Sequence, residues 1–330
     1  MTREQYAAML KNISETHKAG GDTAACIAKY NERYKFMYIY NDNVFKILFG
    51  SPENEKITID FLNAVLGFIG SDCINNLAYI NPALPDAFGK SITSDIVATD
   101  QRLDRIVLEV QHIEDDSYNA RLVLYTAKHT IASRIKGEDY ALQNLNLISL
   151  QMFDGFPNSP NYRHSIRFKN QENEEFYDKQ TITLVEIPKF LKGNFATDNS
   201  RIAQWLRVID GLNNETPVAV PEGTPFALLQ EKAQLSIFTE EFLVSEAMKM
   251  SDHKYELYVE KKHARKEGLE EGRAEGRAEG RAKGLTEGAD AKAREMAAAM
   301  LADGDSVEKV VRISKLPESD VLAIKACLQK

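Results

Sequence analysis

The sequence predicts an α/β fold, in which a mixed sheet is flanked by helices and is followed by a mainly helical C-terminal region. Two β-branched, apolar runs, at residues 94–98 and 105–111, predict neighbouring strands. Apolar residues recur at helical spacing through residues 42–66, and residues 117–135 have the pattern of a further helix. Strands and helices that follow one another in this way are typical of an α/β domain.

Length and composition predict a globular protein that lies in the cytoplasm. The chain has 330 residues, enough for one to three domains, and a formal net charge of −8. That charge argues against a generally basic surface for nucleic acid. The three cysteines form neither a disulfide framework nor a zinc-binding spacing. We find no signal peptide and no apolar run long enough to cross a membrane, so we expect no membrane partner.

The first elements predicted are helical. Residues 1–35 form a polar, partly helical leader that Gly20 and Gly21 interrupt. Residues 42–66 then form two helices, separated at residues 51–54. Ser51 is expected to cap the second helix, with Pro52 in its first position. Gly67 is expected to end that helix.

The sheet is predicted from the segments that follow. Residues 76–80 form a strand, and the polar residues 99–104 turn the chain between the two central strands. The helix at 117–135 is followed by strands at 144–150, 162–168 and 181–187. In that helix the residues expected to pack are Leu122, Leu124, Ala127 and Ile131.

The C-terminal part is predicted to be mainly helical. We divide the chain into a leader (1–35), a central α/β domain (36–192), a helical region (193–265), a glycine-rich charged repeat (266–290) and a small helical segment (291–330). Glycine stands at every fourth position from Gly268 to Gly288, and the unit Glu-Gly-Arg-Ala recurs. One hypothesis is that helices formed by residues 266–288 pair two or more chains into a homo-oligomer, and the other is a flexible charged tether.

Three polar side chains interrupt the two central strands, namely Asp95, Glu109 and Gln111. Because side chains alternate along a strand, Glu109 and Gln111 share one face, and a hairpin can place Asp95 beside Glu109. Two adjacent carboxylates require a proton or a cation between them. Oxygen ligands favour Mg²⁺ or Mn²⁺, which suits cleavage of a phosphodiester bond. The alternative interpretation is a structural salt bridge between Glu109 and an Arg or Lys.

Seven short motifs strengthen the first interpretation, because together they have the order seen in a known protein family. They lie at residues 42–50, 60–66, 89–95, 109–111, 121–125, 137–140 and 185–190. On these motifs the chain resembles the PD-(D/E)XK nuclease superfamily. Within it, the chain is similar to the Rpn family of recombination-promoting nucleases and putative transposases. The resemblance covers about residues 36–192 and implies a restriction-endonuclease-like core.

The resemblance implies a metal-dependent DNA endonuclease, with DNA as its partner and a role in DNA recombination or mobile-element transfer. Asp95 and Glu109 would be catalytic metal ligands for Mg²⁺, with Mn²⁺ or Ca²⁺ as alternatives. Gln111 stands where the superfamily usually has a lysine. An amide can orient a water molecule but cannot neutralise developing charge. Either the metal would do more of that work, or another cation would supply the charge. The candidate cations are Lys46, Lys90 and Arg121.

Four accessory residues are expected to border the site: Asp42, Lys46, Arg121 and Tyr125. Each pair also has a simpler interpretation. Asp42 and Lys46 are one helical turn apart and would serve as a helix cap and a solvated lysine. Arg121 and Tyr125 would stack on a helix surface. The alternative function is a catalytically lapsed nuclease fold that binds DNA or protein, and a ribonuclease is a third option.

Overall fold

The structure is a computed structural model of the whole chain. It describes residues 1–81, 83–84, 92–114, 117–135, 141–193, 195–250, 277, 280–281, 283–284 and 288–328. The chain divides into two compact units, Met1–Met250 and Ser251–Lys330. The domain boundaries drawn above from the sequence stay predictions.

The first unit contains nine described α-helices and all the described strands. The helices are α1 (Arg3–Lys18), α2 (Thr23–Arg33), α3 (Asp42–Phe49), α4 (Glu55–Leu66), α5 (Tyr118–Ala132), α6 (Ile187–Lys192), α7 (Arg201–Asn213), α8 (Pro225–Lys232) and α9 (Glu240–Met250). The strands are β1 (Leu77–Tyr79), β2 (Ala83–Leu84), β3 (Ile92–Thr93), β4 (Ile96–Asp100), β5 (Arg105–Gln111), β6 (Leu145–Gln151), β7 (Arg163–Lys169) and β8 (Glu175–Glu186).

A mixed six-stranded sheet organises this unit, as the sequence predicted. Its strand order is β1-β4-β5-β6-β8-β7, and β2 pairs with β3 in a separate small ribbon. The central pairs β5–β6 and β6–β8 are parallel, whereas β1–β4, β4–β5 and β7–β8 are antiparallel. The connection from β5 to β6 runs through α5, because parallel neighbours need a crossover.

Both faces of the central strands are covered, and the side chains of β5 alternate between the two faces. Ile106, Leu108 and Val110 lie in the larger hydrophobic cluster, which also includes residues of α1, α3, α4 and α7. Val107 lies in the smaller cluster on the other face, with Leu122 of α5. The alternating pattern therefore predicted the two faces of this strand correctly. Glu109 and Gln111 lie on the α5 face, in phase with Val107.

The turn between β4 and β5 is held by the acidic side chains that made it polar in the sequence. The carboxylate of Asp100 is buried and accepts hydrogen bonds from the backbone N–H groups of Arg102 (2.8 Å) and Asp104 (2.9 Å). Asp104 in turn accepts from the Asn144 amide at 2.8 Å, which ties the turn to the start of β6. Leu103 adopts a φ of 65° at the tip. The register of the hairpin is thus fixed from its closed end.

The helices before the hairpin agree with the prediction, except at one cap. Residues 52–54 form a short 3-10 helix between α3 and α4, with Pro52 at its start. Ser51 makes no side-chain capping hydrogen bond, so the expected Ser51 cap is wrong. Gly67 ends α4 with a φ of 74°, as predicted, in the left-handed region that glycine adopts without strain.

The face of α5 that packs on the sheet differs from the expected one. Leu124 and Ile131 are 52% and 76% exposed, and Ala127 is also exposed, so those three expectations are wrong. Leu122 is buried as expected. The other buried residues of α5 are Tyr118, Thr126 and His129, and each of these side chains has a polar group. The helix therefore presents polar side chains to the β5 side of the sheet.

The ends of the chain contain further packed helices. In the first unit α1 packs against α9 and α2, and its Met9 and Ile13 are fully buried. In the second unit, helical residues 288–302 and the helices Val307–Ser314 and Glu318–Leu328 surround Ala297, Val310 and Val321. The repeat at 266–288 falls almost wholly outside the described residues, so pairing through it stays a prediction. No helix in the described ranges has the length and apolar character of a membrane span.

Candidate functional site

Asp95 and Glu109 lie side by side at the open end of the β4–β5 hairpin. The register pairs Ile96 with Leu108, so the residue before β4 faces Glu109 across the ladder. The Asp95 backbone N–H donates to Glu109 Oε1 at 3.3 Å. In return, the Val110 N–H donates to Asp95 Oδ2 at 2.9 Å. Each carboxylate is therefore held by the backbone of the opposite strand.

This arrangement makes the ionised forms of both acids costly. Burial and the charge of Asp95 raise the pKa of Glu109 to about 8. Burial also raises the pKa of Asp95, although the hydrogen bond from Val110 and the charge of Lys46 oppose that rise. Two such acids in contact are more stable with a cation between them than alone. The pair thus has the electrostatic character of a cation site.

Helix α3 brings a lysine to this pair. Lys46 Nζ lies 3.0 Å from Asp95 Oδ1, and 37% of the lysine side chain is exposed. Asp42, one turn earlier, does not cap the helix, because Asn41 does so by accepting from the N–H groups of Asn43 and Val44. The Asp42 carboxylate lies 3.6 Å from the His112 ring and contributes to the raised pKa of Asp95. Both helix residues therefore face the hairpin.

Gln111 is held from two directions. Arg121 Nη2 donates to its Oε1 at 2.6 Å, and its own Nε2 donates to the Ile113 carbonyl at 2.7 Å. Since a guanidinium only donates and a carbonyl only accepts, these partners fix which end of the amide is which. The Arg121 charge therefore lies directly behind Gln111. Among the three candidate cations, Lys46 and Arg121 reach the site, and Lys90 lies outside the described residues.

Two tyrosines of α5 line the same side of the site. Tyr125 is half-buried against the smaller cluster, and burial together with the Glu109 charge raises its pKa. Tyr118 was not predicted from the sequence to lie at this site. Its ring lies 5.5 Å from the Arg121 guanidinium, and its hydroxyl is 2.5 Å from Ser149 Oγ. Its position three residues before Arg121, one helical turn away, was the available signal.

Two further side chains were also missed, Ser94 and His129. Both are buried, and His129 Nε2 lies 3.0 Å from Ser94 Oγ. The Ser94 hydroxyl hydrogen-bonds the Glu109 carboxylate and thereby opposes the rise of its pKa. A lone serine and a lone histidine, 35 positions apart, have no spacing that would have indicated this contact.

A second buried acid, Glu186, ends β8 and belongs to a separate cluster. Its carboxylate contacts the Lys189 ammonium and accepts from the Phe156 N–H at 2.8 Å. Gln151 is its partner across the β6–β8 ladder. The ion pair with Lys189 and the hydrogen bond from Phe156 give Glu186 structural contacts within the protein.

The donor set at the hairpin suits a hard divalent cation. The described residues contain no cluster of three or more His, Cys, Asp and Glu ligands. Mg²⁺ does not need one, since it is commonly held by one or two carboxylates and keeps several waters for contact with phosphates. Two adjacent carboxylates with raised pKa values, Asp95 and Glu109, therefore fit such an ion by chemistry and by charge.

A comparison with protein families gives one match. A family model described as PD-(D/E)XK nuclease family transposase matches residues 39–271, which include α3, the whole sheet and the helices up to α9. No curated protein and no solved structure matches the chain significantly.

Proposed function

The chain belongs to the PD-(D/E)XK nuclease family transposases, and on that premise we propose that it is a metal-dependent endonuclease that hydrolyses phosphodiester bonds in DNA. The family confirms the resemblance found in the sequence and supports a nuclease-type function. The observation that carries the more specific proposal is the Asp95–Glu109 pair, in which two partly buried carboxylates face each other across the hairpin. A role in DNA recombination or mobile-element transfer is part of the proposal.

Asp95 and Glu109 would hold the metal, Mg²⁺ or alternatively Mn²⁺ or Ca²⁺. A bound Mg²⁺ would lower the pKa of a water molecule and offset negative charge on the phosphate. The protein's own contribution is to hold the two carboxylates in place through the N–H groups of Asp95 and Val110. Preorganised ligands of this kind need no rearrangement before they bind.

Lys46 and Arg121 supply the positive charge that Gln111 lacks. The Lys46 ammonium approaches Asp95 from α3, and the Arg121 guanidinium lies behind the Gln111 amide. With its Nε2 engaged by Ile113, Gln111 keeps an Oε1 lone pair with which it can accept from a water molecule. We therefore assign Gln111 to orienting the water, and the two cations to stabilising the phosphate.

Cleavage of supercoiled plasmid DNA tests this proposal. We expect Mg²⁺-dependent nicking that EDTA abolishes and that Asp95→Ala or Glu109→Gln reduces to background. A matched control is Asp178→Asn, which removes an exposed acid of β8 and should leave nicking unchanged. Absence of Mg²⁺-dependent nicking, or nicking that survives Asp95→Ala, would contradict the proposal.

Two alternatives are separated by further measurements. A catalytically lapsed module need not bind metal, so isothermal calorimetry with Mg²⁺ distinguishes it from an active nuclease. A panel of single-stranded and double-stranded DNA and RNA separates a DNA endonuclease from a ribonuclease that uses the same metal chemistry.

A further inference from the structure

We propose that His129 is a positioning residue that acts through Ser94 to orient the Glu109 carboxylate for metal binding. The proposal rests on the function proposed above, because it concerns a ligand of that metal site. It gives roles to two residues that had none in the sequence analysis, Ser94 in the motif at residues 89–95 and His129 outside the motifs. Both are fully buried, at 0% exposure, between α5 and the start of β4.

The direction of the hydrogen bonds follows from the burial of the imidazole. His129 Nε2 lies 3.0 Å from Ser94 Oγ, and His129 Nδ1 is buried without a hydrogen-bond partner among the described residues. If Nδ1 carried the proton, a buried N–H would have no acceptor, which is rarer in proteins than an acceptor without a donor. The proton therefore belongs on Nε2, and His129 donates to Ser94 Oγ.

That direction leaves the Ser94 hydroxyl proton available for Glu109. A hydroxyl has one proton, so it cannot donate to the histidine and to the carboxylate at once. With His129 as the donor, the Ser94 O–H points to the Glu109 carboxylate, which it hydrogen-bonds. Glu109 then has two donors, the Ser94 hydroxyl and the Asp95 N–H. Donors that reach the carboxylate from two groups restrict its rotation and so hold it in one orientation for a metal.

The charge state of His129 is consistent with this series of hydrogen bonds. Burial, and secondarily the charge of Arg105, lowers the pKa of His129 to about 4. The ring is therefore neutral near pH 7, and its single N–H is the one directed at Ser94. Outer partners that orient a metal ligand in this way typically change metal affinity by about 10–100-fold when they are removed.

Metal titration of the purified full-length protein tests the proposal with a readout independent of cleavage. The probe is Mg²⁺ alone, measured by isothermal calorimetry without DNA. His129→Leu removes the donor, whereas His129→Gln keeps an N–H donor at a similar distance from the backbone. We expect His129→Leu to weaken Mg²⁺ binding by about 10-fold and His129→Gln to restore it to within about 3-fold of the wild type.

Further variants keep the test valid if the leucine variant does not fold. Ser94→Ala should weaken Mg²⁺ binding by a similar factor, and the Ser94→Ala/His129→Leu double variant should be no weaker than either single one, because all three interrupt one chain. The matched control is Thr126→Val, since Thr126 is also buried on α5 but donates to the Leu122 carbonyl. This control should bind Mg²⁺ like the wild type.

The outcomes distinguish the two proposals. If the wild type binds Mg²⁺ and nicks DNA but Ser94→Ala binds Mg²⁺ equally well, the positioning role is refuted and the nuclease proposal stands. Loss of affinity in Thr126→Val as large as that in Ser94→Ala would also refute it, because general loosening of α5 would explain both. A wild type that binds no Mg²⁺ overturns the two proposals together.

Discussion

The burial of His129 predicts a measurable loss of stability in mild acid. Its pKa is lowered from 6.5 to about 4 in the folded protein, mainly by burial and also by Arg105 on β5. The unfolded chain therefore binds a proton at a higher pH than the folded one. The contribution of His129 to the free energy of unfolding falls as the pH drops below about 6.5 and levels off below about 4.

The magnitude follows from the size of the shift. One pKa unit corresponds to about 1.4 kcal/mol, so the full loss is about 3 kcal/mol, of which about 2 kcal/mol has occurred at pH 5. Urea denaturation of the wild type and of His129→Gln at pH 7.5, 6 and 5 measures it. The wild type should lose about 2 kcal/mol more than His129→Gln between pH 7.5 and 5.

Comparison with the variant is essential because other groups titrate as well. The raised pKa of Glu109 acts in the opposite direction, since that carboxyl takes up a proton more readily in the folded protein. Subtracting the His129→Gln profile removes this contribution. Parallel profiles for the two proteins would show that the ring titrates like a solvated histidine, and the argument from burial would be wrong.

Three other predictions follow from single contacts. Lys46→Met removes the ammonium 3.0 Å from Asp95 and should lower kcat for DNA cleavage by about 10²-fold, with Lys46→Arg less affected; equal rates would remove Lys46 from the site. Arg121→Met should release the Gln111 amide and lower kcat by about 10-fold or more without changing Mg²⁺ affinity by calorimetry. Trp205→Phe removes the 2.7 Å hydrogen bond from the buried indole to the partly exposed Asp60 and should cost about 1–3 kcal/mol in urea denaturation, while activity per folded molecule stays unchanged.

The hairpin was predictable because its information is local. Alternation along β5 determined which residues share a face, and the polar turn at 99–104 gave the register that places Asp95 beside Glu109. The end of α4 at Gly67 was equally local, because it depends on one backbone conformation. For such features the nearest few residues contain nearly all of the physical cause.

Features that depend on distant packing were not predictable in the same way. The side of α5 that meets the sheet leaves Leu124 and Ile131 exposed and buries Thr126 and His129, although hydrophobicity alone favours the reverse. The contact between Ser94 and His129 depends on how that helix packs, so neither residue was given a role from the sequence. Lys46 was predicted to border the site and to be one of three candidate cations, but its contact with Asp95 was not predicted, since that distance depends on how α3 lies against the hairpin.

The site has two cations, Lys46 and Arg121, although Gln111 stands where the superfamily usually has a lysine. This leads to a final prediction about how the two cations share the work of that lysine. Arg121 is bound to the neutral Gln111 amide, and Lys46 is bound to the Asp95 carboxylate, so the two charges approach from different elements and contact different groups. If each stabilises a different part of the phosphate, their effects on the logarithm of kcat should add in the Lys46→Met/Arg121→Met variant. If instead one cation can substitute for the other, each single change would be mild and the double change severe. Because the two cations contact different groups, we expect their effects to add. Cleavage kinetics of the wild type, the two single variants and the double variant at saturating Mg²⁺ test this. A kcat of the double variant far below the value expected from the product of the single effects would show that the cations share one role.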